Sequence, residues 1–170
     1  MSEARTDSGG GAGVVLPSPI RLQHVLVPVD FSASAVKALH YGVSFAGQYG
    51  ARVTVVHVVE PPMYPTELGY VPVEIESLNK AIRTTAEQKL RDLVRQHIAP
   101  GVRAEALVRM GHPYQEITQV AGELNVDLIV ISTHGYTGLK HVLLGSTAER
   151  IVRHAPCPVL TVREREHDFV

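Results

Sequence analysis

Glycines and hydroxyl-bearing residues are concentrated near the C-terminal end of the sequence, where they could bind an anion. Gly135 and Gly138 lie in a predicted loop, and Gly145, Ser146 and Thr147 begin a predicted helix. Glycine lets backbone N–H groups approach an anion closely, and a helix N-terminus adds unpaired N–H groups and a partial positive charge. The hydroxyl groups add further donors. This segment therefore predicts a phosphate-binding cradle that does not depend on lysines.

The same residues also have a purely structural interpretation. The glycines could serve only as turn residues, and Ser146 could be an ordinary helix N-cap. Spacing by itself leaves both interpretations open. The sequence has no G-x-x-x-x-G-K-[ST] motif, and no G-x-G-x-x-G follows the first predicted strand, so a P-loop and a dinucleotide fingerprint are excluded.

The alternation of strands and helices indicates how these residues are positioned. Aliphatic and β-branched runs predict strands, and amphipathic stretches between them predict helices. The predicted strands are residues 25–29, 53–59, 102–108, 127–132 and 158–162. This alternation implies an α/β fold with a parallel sheet, right-handed crossovers and helices on both faces.

A ligand crevice is expected beyond the carboxyl ends of neighbouring strands whose connections diverge. The first predicted strand is followed by Asp30, Phe31 and Ser32, and the fourth is followed by the glycine-containing loop. We expect these two strands to be neighbours, so the two segments should face each other. Asp30 then has either a ligand-binding role or a helix-capping role.

A proline-rich connection follows the second predicted strand. Pro61, Pro62, Pro65 and Pro72 each lack an amide donor and restrict the residue before them, which excludes regular structure. Long connections of this kind in compact domains are usually lids or binding loops. Apolar residues recur at helical spacing from Ile75 onward, which predicts a helix there.

Composition and charge narrow the class of protein. The chain has 170 residues, enough for one domain, and its net charge of −1 disfavours a nucleic-acid-binding role. Cys157 is the only cysteine, which excludes an internal disulfide and fits a reducing compartment. No apolar run approaches the roughly 18–20 residues of a membrane span, and no signal-peptide pattern is present. We therefore expect a cytoplasmic protein without membrane contact.

Metal binding and catalysis find little support in the sequence. Nine histidines are present, but no pair has the H-E-x-x-H spacing or a comparable ligand pattern, so we predict no dedicated metal site. Neither a G-x-S-x-G elbow nor a paired-carboxylate arrangement occurs, so no catalytic residue is assigned. His134 is the natural candidate for slow hydrolysis, and its first interpretation is a ligand contact.

Three segments resemble the universal stress protein family. They are the run 132–135 (Ser-Thr-His-Gly) followed after nine intervening residues by Gly145-Ser146, the segment 155–159 (Ala-Pro-Cys-Pro-Val), and the segment 27–32 (Val-Pro-Val-Asp-Phe-Ser). The likeness covers about residues 23–163. It implies an open five-stranded parallel sheet of order 3-2-1-4-5, Rossmann-like, and a homodimer through the last strand. The implied domain spans residues 21–165, between a disordered tail at 1–20 and a short tail at 166–170.

One branch of this family binds ATP through a G-2x-G-9x-G-[ST] motif. Gly135 and Gly145-Ser146 match that motif, whereas Ser132 occupies the position of its first glycine. The resemblance implies ATP as the cofactor, with magnesium held mainly by the nucleotide's phosphates. The implied binding residues are Val29, Asp30, Val53, Ile131, Ser132, His134, Gly135, Gly145, Ser146 and Thr147.

Particular roles follow from the resemblance. Asp30 would accept hydrogen bonds from the ribose hydroxyls, Val29 would line the base pocket, and Val53 would pair with the adenine edge through its backbone. Gly145, Ser146 and Thr147 would hold the phosphate tail. For Val53, burial in the core is the alternative interpretation.

The implied function is that of an ATP-binding switch or sensor in a stress response, in which ATP occupancy biases the loop 60–74 and partner binding. A dimeric interaction scaffold of the same family without nucleotide is the alternative, and Ser132 favours it. The third interpretation is an ATP-consuming enzyme that depends on His134 or Asp30.

Overall fold

The computed structural model describes residues 19–61, 73–133 and 144–164 of the chain. The strands within these ranges are β1 (His24–Pro28), β2 (Arg52–Val59), β3 (Arg103–Met110), β4 (Leu128–Ser132) and β5 (Val159–Val162). The helices are α1 (Ala33–Tyr49), α2 (Val73–His97), α3 (Pro113–Glu123) and α4 (Ser146–His154). The predicted tails, apart from residues 19 and 20, and most of the proline-rich connection lie outside the described residues.

The described strands form one parallel sheet of order β3-β2-β1-β4-β5. The predicted α/β fold and its strand order are therefore confirmed. The first strand lies at the centre, where Val25 pairs with Val53 of β2 on one side and with Leu128 of β4 on the other. A central parallel strand is covered on both faces, which is why β1 is buried along its whole length.

Two hydrophobic cores lie on opposite faces of the sheet. Val25 and Val27 of β1 belong to the core under α1 and α2, whereas Leu26 belongs to the core under α3 and α4. Successive side chains of a strand point to opposite faces, so one short aliphatic run supplies both cores. This explains why the sequence of β1 after His24 is a continuous apolar run without polar alternation.

The ends of the helices follow local sequence signals. Ser32 is the N-cap of α1, and its Oγ accepts a hydrogen bond from the amide of Ala35 at 3.2 Å. Gly50 ends the helix with a φ of 68°, a left-handed conformation that favours glycine. At the start of α4 the N-cap is Gly145, so the alternative interpretation of Ser146 as the N-cap is wrong. Ser146 is instead the first residue of the helix.

No helix among the described residues combines the length and the apolar character that crossing a membrane requires.

A histidine pair connects α1 to α2 and predicts a pH-dependent stability. Nε2 of His40 lies 3.0 Å from Nδ1 of His97. Partial desolvation, and the charge of His97, lower the pKa of His40 below its ordinary value of 6.5. The unfolded chain therefore takes up a proton at this residue before the folded chain does, so stability is lost as the pH falls below about 6.5.

Urea unfolding at pH 7.5 and pH 5.5 measures this effect. We expect the free energy of unfolding to be lower at the acidic pH, and His40→Gln to reduce the loss. Some loss should remain in the variant, because burial also lowers the pKa of His24. An equal loss in the variant and in the wild type would exclude His40 as a source of the pH dependence.

Candidate functional site

A pocket of about 320 Å³ opens at the carboxyl ends of β1, β2 and β4. The connection after β1 leads to α1 on one face of the sheet, and the connection after β4 leads to α4 on the other face. The pocket therefore lies at the switch point, where ligands of open parallel sheets bind. Its walls include Val29, Asp30, Val56, His57, Val58, Glu60, Pro113, Ile117, Ile131, Ser132, Thr133, Gly145, Ser146 and Thr147.

The turn after β1 holds Asp30 at the pocket wall. Its Oδ1 accepts hydrogen bonds from the amide of Ser32 at 3.0 Å and from the Oγ of Ser32 at 2.5 Å. The same Oγ accepts the capping hydrogen bond from α1, so the carboxylate orients the N-cap serine. A capping role and a ligand-binding role for Asp30 are therefore compatible, because the residue supports the helix start and also faces the pocket.

Phe31 and His57 support this turn from the side of β2. Phe31 has a φ of 64°, an uncommon conformation for a residue with a side chain, and its ring lies 4.4 Å from the ring of His57. Nδ1 of His57 lies 2.8 Å from the carbonyl oxygen of Val29. A carbonyl only accepts, so Nδ1 carries the proton and Nε2 is the acceptor of the neutral ring.

The predicted role of Val53 does not fit the structure. Val53 is the second residue of β2, is 1% exposed, and packs in the core under α1. The part of β2 that reaches the pocket is Val56, His57 and Val58. Val58 lies five residues further along the strand, about 16 Å from Val53 at the rise of a β-strand. Val53 is therefore a core residue, and it does not belong to this site.

The end of β4 is joined directly to the start of α4. The amide of Gly145 donates a hydrogen bond to the carbonyl oxygen of Thr133 at 2.8 Å, and the amide of Thr133 donates to Val162 of β5 at 2.9 Å. A Cβ atom at Gly145 would lie 3.1 Å from the oxygen of Thr133. The absence of a side chain thus lets the helix start approach the strand end, and this contact places Ser146 and Thr147 at the pocket.

The electrostatic character of the pocket comes from backbone groups and carboxylates. The amides of the first turn of α4 lack helical partners, and Gly145 provides no side-chain cap. Asp30 and Glu60 supply negative charge, and none of the described lining residues is a lysine or an arginine. In the described ranges, no group of three or more histidine, cysteine, aspartate or glutamate residues could hold a metal ion.

The structure brings most of the predicted site residues together. Val29, Asp30, Ile131, Ser132, Gly145, Ser146 and Thr147 all line the one pocket. His134 and Gly135 lie outside the described residues. His57 and Val58 were not predicted as site residues, although they lie at the carboxyl end of the strand next to β1, where a ligand crevice is expected.

A parallel sheet of this order, with a crevice at its switch point, defines a doubly wound α/β protein of Rossmann-like architecture. Residues 21–163 match the model of the universal stress protein family. The chain therefore belongs to the universal stress protein family, as the sequence motifs predicted.

Individual relatives agree with this assignment. Universal stress protein A homolog 1 of Coxiella burnetii is 33% identical over 146 residues, which cover 85% of this chain and 98% of that protein. Universal stress protein MJ0577 of Methanocaldococcus jannaschii is 26% identical over 158 residues, 86% of this chain and 98% of that protein.

Solved structures share the fold. The structure of MJ0577 superposes with a TM-score of 0.75 at 27% identity, covering 87% of this chain and all of that one. A universal stress protein solved in complex with cAMP superposes with a TM-score of 0.61 at 20% identity. That match covers 85% of this chain and 98% of the other.

Proposed function

We propose that this protein binds ATP in the switch-point pocket and acts as a nucleotide-dependent switch or sensor in a stress response. The observation that carries the proposal is the placement of Asp30 and the start of α4 on the walls of one pocket. A carboxylate suits the ribose hydroxyls, and a helix start with unpaired amides suits phosphates. The fold holds an adenine nucleotide in the relative solved with cAMP, which supports this choice of ligand.

The adenine base would pack between aliphatic side chains and pair with the backbone of Val58. The amide of Val29 donates to the carbonyl oxygen of Val56 at 2.8 Å, so the backbone of Val56 points toward β1. Backbone groups of strand residues two apart point to the same side of the strand. The amide of Gly111 donates a hydrogen bond to the carbonyl oxygen of Val59, so the backbone of Val59 points to the opposite side, away from β1. The N–H and C=O of Val58 therefore point past the end of β1 toward the pocket, which gives Val58 the role first predicted for Val53.

The phosphates would lie against the first turn of α4. Ser146 and Thr147 offer hydroxyl and amide donors there, and Gly145 leaves room for the close approach of the chain. A magnesium ion would enter with the phosphates and would need few protein ligands, because this ion keeps several of its waters. Asp30 and Glu60 are the carboxylates on the wall that could orient those waters.

The switch function would act through the connection after β2. Val58 and Glu60 line the pocket immediately before the residues that the structure does not describe, and α2 begins at Val73. A bound nucleotide would therefore contact the first residues of the loop 60–74. We propose that occupancy biases this loop and the binding of a partner protein.

A second copy of the chain would pair along β5. This strand is at the edge of the described sheet, and Val159 and Leu160 are only half-buried. An exposed apolar edge strand can pair with other chains and cause aggregation unless another strand or chain covers it. A homodimer through β5 would cover it.

Native mass spectrometry of the purified protein, alone and with added ATP, tests these proposals together. We expect the mass of two chains with one ATP bound to each. A mass of two chains without nucleotide, even after ATP is added, would refute the switch and favour the interaction scaffold. A single-chain mass would refute the proposed dimer.

A further inference from the structure

A second cavity adjoins the proposed ATP pocket. It has a volume of about 430 Å³, and Glu60, Pro113, Ser146 and Thr147 line both cavities. His112, Tyr114, Gln115 and Arg150 complete the walls of the second one. The two cavities therefore meet at the start of α4, where the phosphates of the proposed nucleotide would lie.

Arg150 gives this second cavity a guanidinium, whereas the described lining of the first pocket contains no lysine or arginine. Its guanidinium lies 4.9 Å from the centre of the Tyr114 ring, in a cation–π arrangement that holds the long side chain toward α3. Arg150 follows Ser146 by four residues, so the two side chains lie on the same face of α4. The guanidinium therefore stands one helical turn beyond the proposed phosphate contacts.

Arg150 forms no ion pair with any residue in the described ranges. The described ion pairs engage other arginines, among them Arg153, which binds Glu149 at 2.8 Å on the same helix. Arginine binds phosphate through several donors in a fixed geometry, and stacking on an aromatic ring leaves those donors available at its edge.

We infer that the cavity around Arg150 receives the terminal phosphates of a nucleoside polyphosphate, so that Arg150 makes the protein prefer ATP to AMP. The inference rests on the proposed ATP pocket and adds a residue that determines specificity. The Glu60 carboxylate also faces this cavity and opposes an anion, but His112 lies 4.0 Å from it on the same wall. The terminal phosphates would lie beside the Arg150 guanidinium, which also lines this cavity.

Calorimetric titration with ATP and with AMP, at fixed magnesium and salt concentrations, tests the inference. Arg150→Gln should weaken ATP binding about tenfold and AMP binding less than about twofold, because only ATP reaches the guanidinium. The ATP affinity of Arg150→Lys should lie between those of Arg150→Gln and the wild type. Arg153→Gln is the matched control, since it removes the same charge from α4, and it should bind both nucleotides like the wild type.

The outcomes separate this inference from the function on which it rests. If Arg150→Gln binds ATP as well as the wild type does, or loses affinity for ATP and AMP equally, Arg150 does not select the terminal phosphates. Either result leaves the proposed ATP pocket unaffected. An equal effect of Arg153→Gln would likewise overturn the inference. A wild type that binds neither nucleotide would refute the proposed function, and the inference with it.

Discussion

Gly145→Val is expected to weaken ATP binding by about a hundredfold or more, the largest functional effect that we predict for a single substitution. The backbone of Gly145 has φ −63° and ψ 151°, which valine adopts without strain. The effect comes instead from the added Cβ, which would lie 3.1 Å from the carbonyl oxygen of Thr133. The branched side chain would push the start of α4 away from β4 and displace amide donors to the phosphates, each worth about 1.5–3 kcal/mol.

The matched control for this experiment is Gly122→Val in α3. A Cβ at Gly122 meets no atom within 4 Å, so this variant should bind ATP like the wild type. Equilibrium titration of both variants with ATP, after their folding has been checked by circular dichroism, measures the difference. Equal affinities for Gly145→Val and the wild type would refute the proposed phosphate contacts at α4.

Gly42→Ala is expected to lower the free energy of unfolding by about 2–3 kcal/mol, as overpacked core substitutions do. Gly42 lies on the buried face of α1, and a Cβ there would lie 2.5 Å from Cγ2 of Val27 in β1. Val27 is completely buried, so it cannot turn away into solvent. Alanine favours the helix over glycine by about 1 kcal/mol, but the collision with the central strand outweighs that gain.

Gly47→Ala in the same helix separates packing from helix propensity. A Cβ at Gly47 meets only Cγ2 of Val102 at 3.7 Å, an ordinary van der Waals distance. This variant should therefore be more stable than the wild type by up to about 1 kcal/mol. Urea unfolding of both variants checks the prediction, and a gain in stability in both would show that α1 does not press on β1 at Gly42.

The elements of the fold were largely predictable because their signals are local. Continuous aliphatic runs predicted the buried strands, and a helix was predicted to begin at the segment 145–147, where α4 begins. The strand order followed from the resemblance of short motifs to a known family, and the structure confirms it.

Site residues could be predicted only where a single short segment determines their placement. The turn at Asp30 and the start of α4 could be recognised because each combines a strand end with a helix cap. The role of β2 in the site was assigned to Val53 through the family resemblance, whereas Val56, His57 and Val58 are the residues of β2 that line the pocket. His57 was not predicted, because its contact with Val29 joins residues that lie far apart in the sequence.

Periodicity, caps and turn residues thus define which segments become strands and helices, because these preferences depend on residues close together in the chain. The register of neighbouring strands and the close approach of distant segments do not follow from such preferences. β1 ends opposite Val56, and this pairing leaves Val58 exposed to the pocket. The proximity of Gly145 to Thr133, and of Arg150 to Tyr114, likewise arises only when α3 and α4 pack against the sheet. Contacts of this kind depend on the shapes of distant segments, which no local pattern encodes.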